Sequence, residues 1–241
     1  MTSGQQRAAG ALYGLAAGDA LGMPTESLSR AEIVARYGPL VDSFQPGPPD
    51  QPLAAGLSAG TVTDDTEQAL LLAGLIIEGG GTVDEAEFAR RLIGWEAGMR
   101  ARGSLSLLGP STRRALAALL GGADVTESGR FGTTNGAAMR ITPVGVATPC
   151  DDLGMLVDRV VAASRVTHNT GVALAGAAAV AAAVSAGVAG ASVPEATSVA
   201  VAAAGQAAGR GHWVAAADVA ARISWATGLT AGLAPQAAID A

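Results

Sequence analysis

The sequence predicts an all-α protein. Helix-length segments with apolar periodicity follow one another along most of the chain, and no two alternating segments read as a strand pair. The stretch from His168 to Glu195 contains no charged residue between its ends and is mostly Ala, Gly and Val, as expected of a helix at the centre of a helical protein. With 49% hydrophobic and 15% charged residues over 241 positions, the chain can bury a sizeable core, and disorder is excluded. Aromatic residues are only 3%, so this core must rely on close backbone approach rather than on large rings. The length allows one large domain or two small ones; a single domain over residues 1–241 is expected.

The first helix is expected over residues 5–22, where Gly10, Gly14, Gly18 and Gly22 recur every fourth position and share one face. Glycine costs about 1 kcal/mol per helical position, which points to a close helix crossing with the glycines as the contact. Asp19 lies near the C-terminal end of this helix, where the dipole disfavours a carboxylate. Residues 39–60 are rich in Pro and Gly and read as an irregular connection over the surface. Helices are then expected near 65–78, 84–101, 110–121, 151–165, 171–187, 194–208 and 213–228. The second of these has an acidic start and a basic end, and the third opens on Pro110. The 171–193 stretch is long enough to cross a bilayer, yet its Ala and Gly contribute little insertion energy, so a buried helix is expected.

A formal charge of −6 and the absence of any basic cluster argue against a nucleic-acid partner. All fifteen basic residues are Arg, which reads as genome composition rather than mechanism. The single Cys150 allows neither an internal disulfide nor a cysteine metal site. The N-terminal apolar stretch is interrupted by Asp19 and glycines and does not resemble a signal peptide, so a cytoplasmic location without membrane association is expected.

Three clusters carry chemistry. Thr63-Asp64-Asp65-Thr66-Glu67 sets two adjacent carboxylates and hydroxyls at the start of a helix. Adjacent ionised carboxylates repel, and hard oxygen donors of this kind suit Mg²⁺, Mn²⁺ or Ca²⁺. Asp64 followed by Glu67 equally fits an N-cap with its capping box, and the two readings are compatible. Thr133-Thr134-Asn135-Gly136, after Gly129 and Gly132, can offer backbone N–H groups to anionic oxygens or simply form a turn. His168, in Ser164-Arg165-Val166-Thr167-His168-Asn169-Thr170, can stack on a base, donate to a ribose hydroxyl or serve as a helix cap. His212 has no such company and is given no role.

In order, Gly18-Asp19-Ala20-Leu21-Gly22, Glu26, Thr63-Asp64-Asp65-Thr66, Asn135-Gly136-Ala137-Ala138-Met139-Arg140 and Ser164-Arg165-Val166-Thr167-His168 resemble the ADP-ribosylglycohydrolase family from about residue 8 to at least residue 185. That resemblance implies an all-α fold, a pair of Mg²⁺ or Mn²⁺ ions, and hydrolysis of the glycosidic bond joining ADP-ribose to a protein side chain or a small molecule. By the same resemblance Thr63, Asp64 and Asp65 would be metal ligands, and Asp64, Asp65 and Glu26 would form the catalytic group, with Glu26 on a mobile loop. Thr133, Thr134, Asn135 and Gly136 would hold the diphosphate, His168 would contact the nucleoside, and Asp19 joins the substrate-contacting set. Two cations would clamp ribose hydroxyls and position a water, beside a carboxylate acting as acid or base.

The pattern departs from the family in two places. Relatives carry a further Asp-x-Asp-Thr near the C-terminus, whereas this sequence ends Ala237-Ala238-Ile239-Asp240-Ala241. Thr63, Asp64 and Asp65 alone undersupply charge for two cations, which leaves open a truncated chain, a substitute element or reduced activity. Exposed apolar surface and self-association are a further expectation. Ser106 also stands where relatives often have Asp. The alternatives to an ADP-ribosyl hydrolase are a glycohydrolase of nucleosides or other ribosyl small molecules, and a non-catalytic ADP-ribose-binding or structural relative.

Overall fold

The computed structural model describes residues 2–101 and 108–240; Ser106 lies outside them. The described chain is all-α, with one isolated parallel bridge between Thr170 and His212. Its helices are α1 (Ser3–Gly22), α2 (Arg30–Tyr37), α3 (Asp64–Glu78), α4 (Glu85–Ala101), α5 (Pro110–Leu120), α6 (Val125–Ser128), α7 (Thr142–Ala147), α8 (Leu153–Ser164), α9 (Gly171–Ala189), α10 (Val193–Ala207), α11 (Val219–Leu229) and α12 (Pro235–Asp240).

The alanine-rich α9 forms the centre. It packs on α10, α7, α8, α1 and α11, and Leu174, Ala177, Ala178, Ala181 and Ala182 are completely buried. These small side chains let helices approach closely, so the apolar stretch that could pass for a membrane span is the middle of the main core. Around it stand Leu72 and Ile76 of α3, Val144 of α7, Leu156 and Val160 of α8, and Ala203 of α10. A second cluster joins Leu75, Phe88, Leu92, Leu116 and Val166, fixing α4 and α5 against α3. Where α7 meets α9 the backbones nearly touch: a Cβ on Gly145 would lie 2.4 Å from the carbonyl oxygen of Ala181.

Several expectations are corrected. Gly10, Gly14, Gly18 and Gly22 are exposed, and a Cβ on any of them meets nothing within 4 Å, so they are not a helix contact. Instead α1 packs through its other side on α3, α7 and α9. The connection over 39–60 is not wholly superficial, because Gly47, Gln51 and Ala54 are buried. The last long helix expected, over 213–228, begins only at Val219, where the Asp218 side chain caps it by accepting from Ala221 N–H at 2.9 Å. The helices α2, α6, α7 and α12 were not expected. They have eight residues or fewer, too short to build a clear period, although Ser29 and Glu32 form a capping box on α2. Beyond α10, Trp213, Trp225 and Ile239 are exposed.

Gly145→Ala forces a methyl group into the Ala181 backbone and should destabilise the protein by about 1–3 kcal/mol in urea denaturation. Gly14→Ala should stabilise it by about 0.5–1 kcal/mol, because the residue is helical and open. Loss of stability in Gly14→Ala would restore the glycine stripe as a contact.

Candidate functional site

The acidic cluster is organised by a contact between distant segments. The Asp19 carboxylate accepts from Thr63 N–H at 2.8 Å, Thr63 Oγ1 at 2.7 Å, Thr66 N–H at 3.2 Å and Thr66 Oγ1 at 2.5 Å. It therefore does for α3 what an N-cap side chain would do, satisfying donors of the first turn and meeting the positive end of the dipole. The local capping box that Asp64 and Glu67 could have formed is replaced by this arrangement. Thr63 is the N-cap residue but makes no side-chain cap, and Glu67 accepts from the Trp95 indole at 2.6 Å.

Asp64 and Asp65, now inside the first turn of α3, face a cleft with Glu26. Burial and the neighbouring Asp65, Glu26 and Asp19 charges push the Asp64 carboxyl up to about 8. Burial, Asp19 and Glu26 push Asp65 up to about 6. Burial, followed by Asp19, raises Glu26 above its ordinary value. Glu26 follows a 3₁₀ turn (Met23–Thr25), and its carbonyl accepts from the buried Gln51 amide at 2.8 Å, which ties this segment to the connection beneath it. Clustered carboxylates that cannot all ionise comfortably favour a cation, and oxygen donors suit a hard divalent ion. Among the described residues no three His, Cys, Asp or Glu side chains converge tightly enough to form a complete ligand set.

The same cleft also holds groups that suit negative charge. Its volume is about 260 Å³, and besides the carboxylates it is lined by Gly109 and Pro110 at the N-terminus of α5, by Arg113, and by Thr134, Asn135 and Gly136. An adjoining pocket of about 280 Å³ shares Glu26, Asp65 and Asn135 and adds Asp19 and Thr63. Thr133 is exposed and lines neither pocket. A larger, more apolar pocket of about 520 Å³ lies near Ile76 towards the other end of α3 and contains none of these groups.

The second and third clusters form one unit. Asn169 N–H donates to Gly129 O at 2.8 Å, and the Thr170 hydroxyl donates to Gly132 O at 2.6 Å. His168 has no exposed surface and does not line the cleft. Its ring lies beneath the loop, Nε2 3.0 Å from Thr134 Oγ1, and a Cβ on Gly136 would come within 2.7 Å of the imidazole. Only glycine allows the loop to lie this close.

Four supporting residues were given no role in the sequence reading. Thr66 helps hold Asp19, and Gln51 holds the Glu26 segment. Gln68, fully buried, faces Asp64 at 3.4 Å on one side and accepts from Arg140 at 2.8 Å on the other. Arg140 also has no exposed surface; it reaches Thr167 and lies 5.0 Å from the Phe88 ring centre. Polar residues inside otherwise apolar elements were the available signal.

A family model described as ADP-ribosylglycohydrolase matches residues 1–240. An uncharacterized Escherichia coli K12 protein, YegU, is 39% identical over 73% of this chain and 52% of its own length. An uncharacterized Archaeoglobus fulgidus protein is 41% identical over 70% of this chain and 52% of its own. The ADP-ribosyl-[dinitrogen reductase] glycohydrolase of Rhodospirillum rubrum is 33% identical over 68% of this chain and 51% of its own. A solved "ADP-ribosylglycohydrolase-related protein complex" superposes with a TM-score of 0.62 at 30% identity, covering 82% of this chain and 61% of that one. The chain spans about half the length of the curated relatives it matches.

Asp19→Ala removes the cap of α3 and should lower stability by about 1–2 kcal/mol in urea denaturation; no loss would mean the contact is not needed. Because the folded-state value of Asp64 is raised from 3.8 to about 8, its contribution to stability is fully present below pH 3.8 and lost as pH rises through about 8. In metal-free buffer, Asp64→Asn should thus gain on the wild type as pH rises across that range. A gap independent of pH would contradict the raised value.

Proposed function

Since the chain belongs to the ADP-ribosylglycohydrolase family, we propose that its cleft hydrolyses the glycosidic bond between ADP-ribose and a protein side chain or small-molecule acceptor, aided by Mg²⁺ or Mn²⁺. The observation that carries this reading is the polarity of the cleft. The cleft is lined both by the carboxylates of Glu26, Asp64 and Asp65 and by the α5 N-terminus, Arg113 and the Thr134–Gly136 loop. A ligand with a hydroxyl-rich sugar beside a diphosphate matches both.

Thr63, Asp64 and Asp65 would hold one or two cations, which when bound polarise the ribose hydroxyls and favour an ionised water. Thr63 remains able to act as an acceptor, because its hydroxyl hydrogen is directed to Asp19. Glu26, raised by burial and by Asp19, keeps its proton to higher pH than an ordinary glutamate. It is thus suited to protonate the leaving group as the glycosidic bond breaks; after water adds to the anomeric carbon, it can take up a proton again. The loop and Arg113 would fix the diphosphate, which orients the ribose against the carboxylates.

Thr63, Asp64 and Asp65 supply only two carboxylates for the cations, which supports a second reading, in which ADP-ribose binds without turnover. Calorimetric titration with ADP-ribose, with and without Mg²⁺ or Mn²⁺, and hydrolysis of an ADP-ribosylated substrate together separate the two. The expected result is metal-dependent binding with turnover that Asp64→Ala or Asp65→Ala abolishes and Glu26→Gln lowers by about 10²–10⁴-fold. Tight binding without turnover would support the second reading, and undiminished hydrolysis in both aspartate variants would reject the mechanism.

A further inference from the structure

The buried polar contacts behind the cleft have a direction. Arg140 is fully buried, and a guanidinium can only donate. One terminal nitrogen of the guanidinium lies 2.6 Å from Thr167 Oγ1, so the hydroxyl accepts there and its own hydrogen needs another acceptor. Nδ1 of His168 is 2.7 Å away. Were Nδ1 protonated, Thr167 would receive from both sides and its hydrogen would be stranded at a residue with no exposed surface. An unprotonated Nδ1 on a neutral ring places the proton on Nε2. Burial, with the Arg140 charge beside it, keeps that ring neutral by holding its pKa down at about 3. Nε2 then donates to Thr134 Oγ1 at 3.0 Å, and the Thr134 hydrogen is left for the cleft that this residue lines.

We infer that Arg140 and Thr167 fix His168 as its Nε2–H tautomer, which makes the Thr134 hydroxyl a dedicated donor to an anionic phosphate oxygen in the cleft. Arg140, Thr167 and His168 are positioning residues, and Thr134 is the group that touches the ligand. The same guanidinium reaches Gln68, whose amide faces Asp64, so one buried cation touches the supports of both Thr134 and Asp64. Only the identity of the ligand rests on the proposed activity; the tautomer does not.

The test is nitrogen NMR of the full chain labelled with ¹⁵N-histidine at neutral pH, with His168→Asn assigning the signals. The expected spectrum shows a protonated Nε2 and an unprotonated Nδ1 on His168. A protonated Nδ1, or a doubly protonated ring, overturns the inference. Thr167→Val removes the hydroxyl at nearly constant shape and should mix or invert the tautomers. It should also weaken ADP-ribose binding about tenfold, or about 1.4 kcal/mol, with Thr167→Ser restoring both. A Thr167→Val protein that keeps the wild-type tautomer refutes the relay, and should that variant not fold, the wild-type spectrum decides. If the tautomer is as expected but ADP-ribose fails to bind under any cation condition, the proposed activity falls and the relay stands. Inorganic pyrophosphate then probes the donor: weaker binding to Thr134→Val supports it, and equal binding to wild type and variant overturns it.

Discussion

The Asp19 carboxylate against the first turn of α3 is the constraint on which the acidic wall depends. Two elements far apart in sequence meet there, each supplying what the other lacks. The C-terminal end of α1 is a poor place for a carboxylate, and the start of α3 has donors that its own Thr63 does not cap. Joining them satisfies Asp19 with four hydrogen bonds and sets Asp64 and Asp65 in the lining of the cleft. The arrangement gathers carboxylates in a partly buried place, and burial first, then their mutual repulsion, raises Asp64, Asp65 and Glu26.

Behind this wall, the core changes character. Around α9 it is rich in alanine, where helices approach closely, and the buried Ser185 hydroxyl donates to Thr148 O at 2.6 Å. Between α3 and the 129–140 segment it contains a buried cation, Arg140, with Gln68, Thr167 and His168 around it. Such a group is costly to bury, and its Nε has no hydrogen-bond partner; its terminal nitrogens lead to Asp64 through Gln68 and to Thr134 through Thr167 and His168. Stability and site geometry are therefore hard to separate: the contacts that Arg140 makes also reach the loop that lines the cleft with the carboxylates.

The resulting cleft is mixed in charge. Carboxylates together with a helix N-terminus, a guanidinium and a hydroxyl loop favour ligands that present different chemistry at two points. Neither group alone would be specific, since acidic clusters and glycine loops are common. Their juxtaposition across about 260 Å³ is what narrows the chemistry.

The sequence by itself determined the helical class, the buried nature of α9 and the grouping of chemistry-bearing residues into ordered motifs, because apolar period, charge distribution and motif order are local or linear properties. It misjudged the glycines of α1, since a stripe on one face shows which residues lie together but not what, if anything, covers them. It offered a local cap by Asp64 and Glu67 as one of two compatible readings and could not show that the partner of the α3 N-terminus is Asp19, 44 residues before Thr63. It also treated the loops before Arg140 and around His168 as separate, although they are hydrogen-bonded into one unit. Only the tertiary structure decided these points, because caps, close approaches and buried polar partners are chosen by which segments meet in space, and side-chain spacing along one segment does not record that.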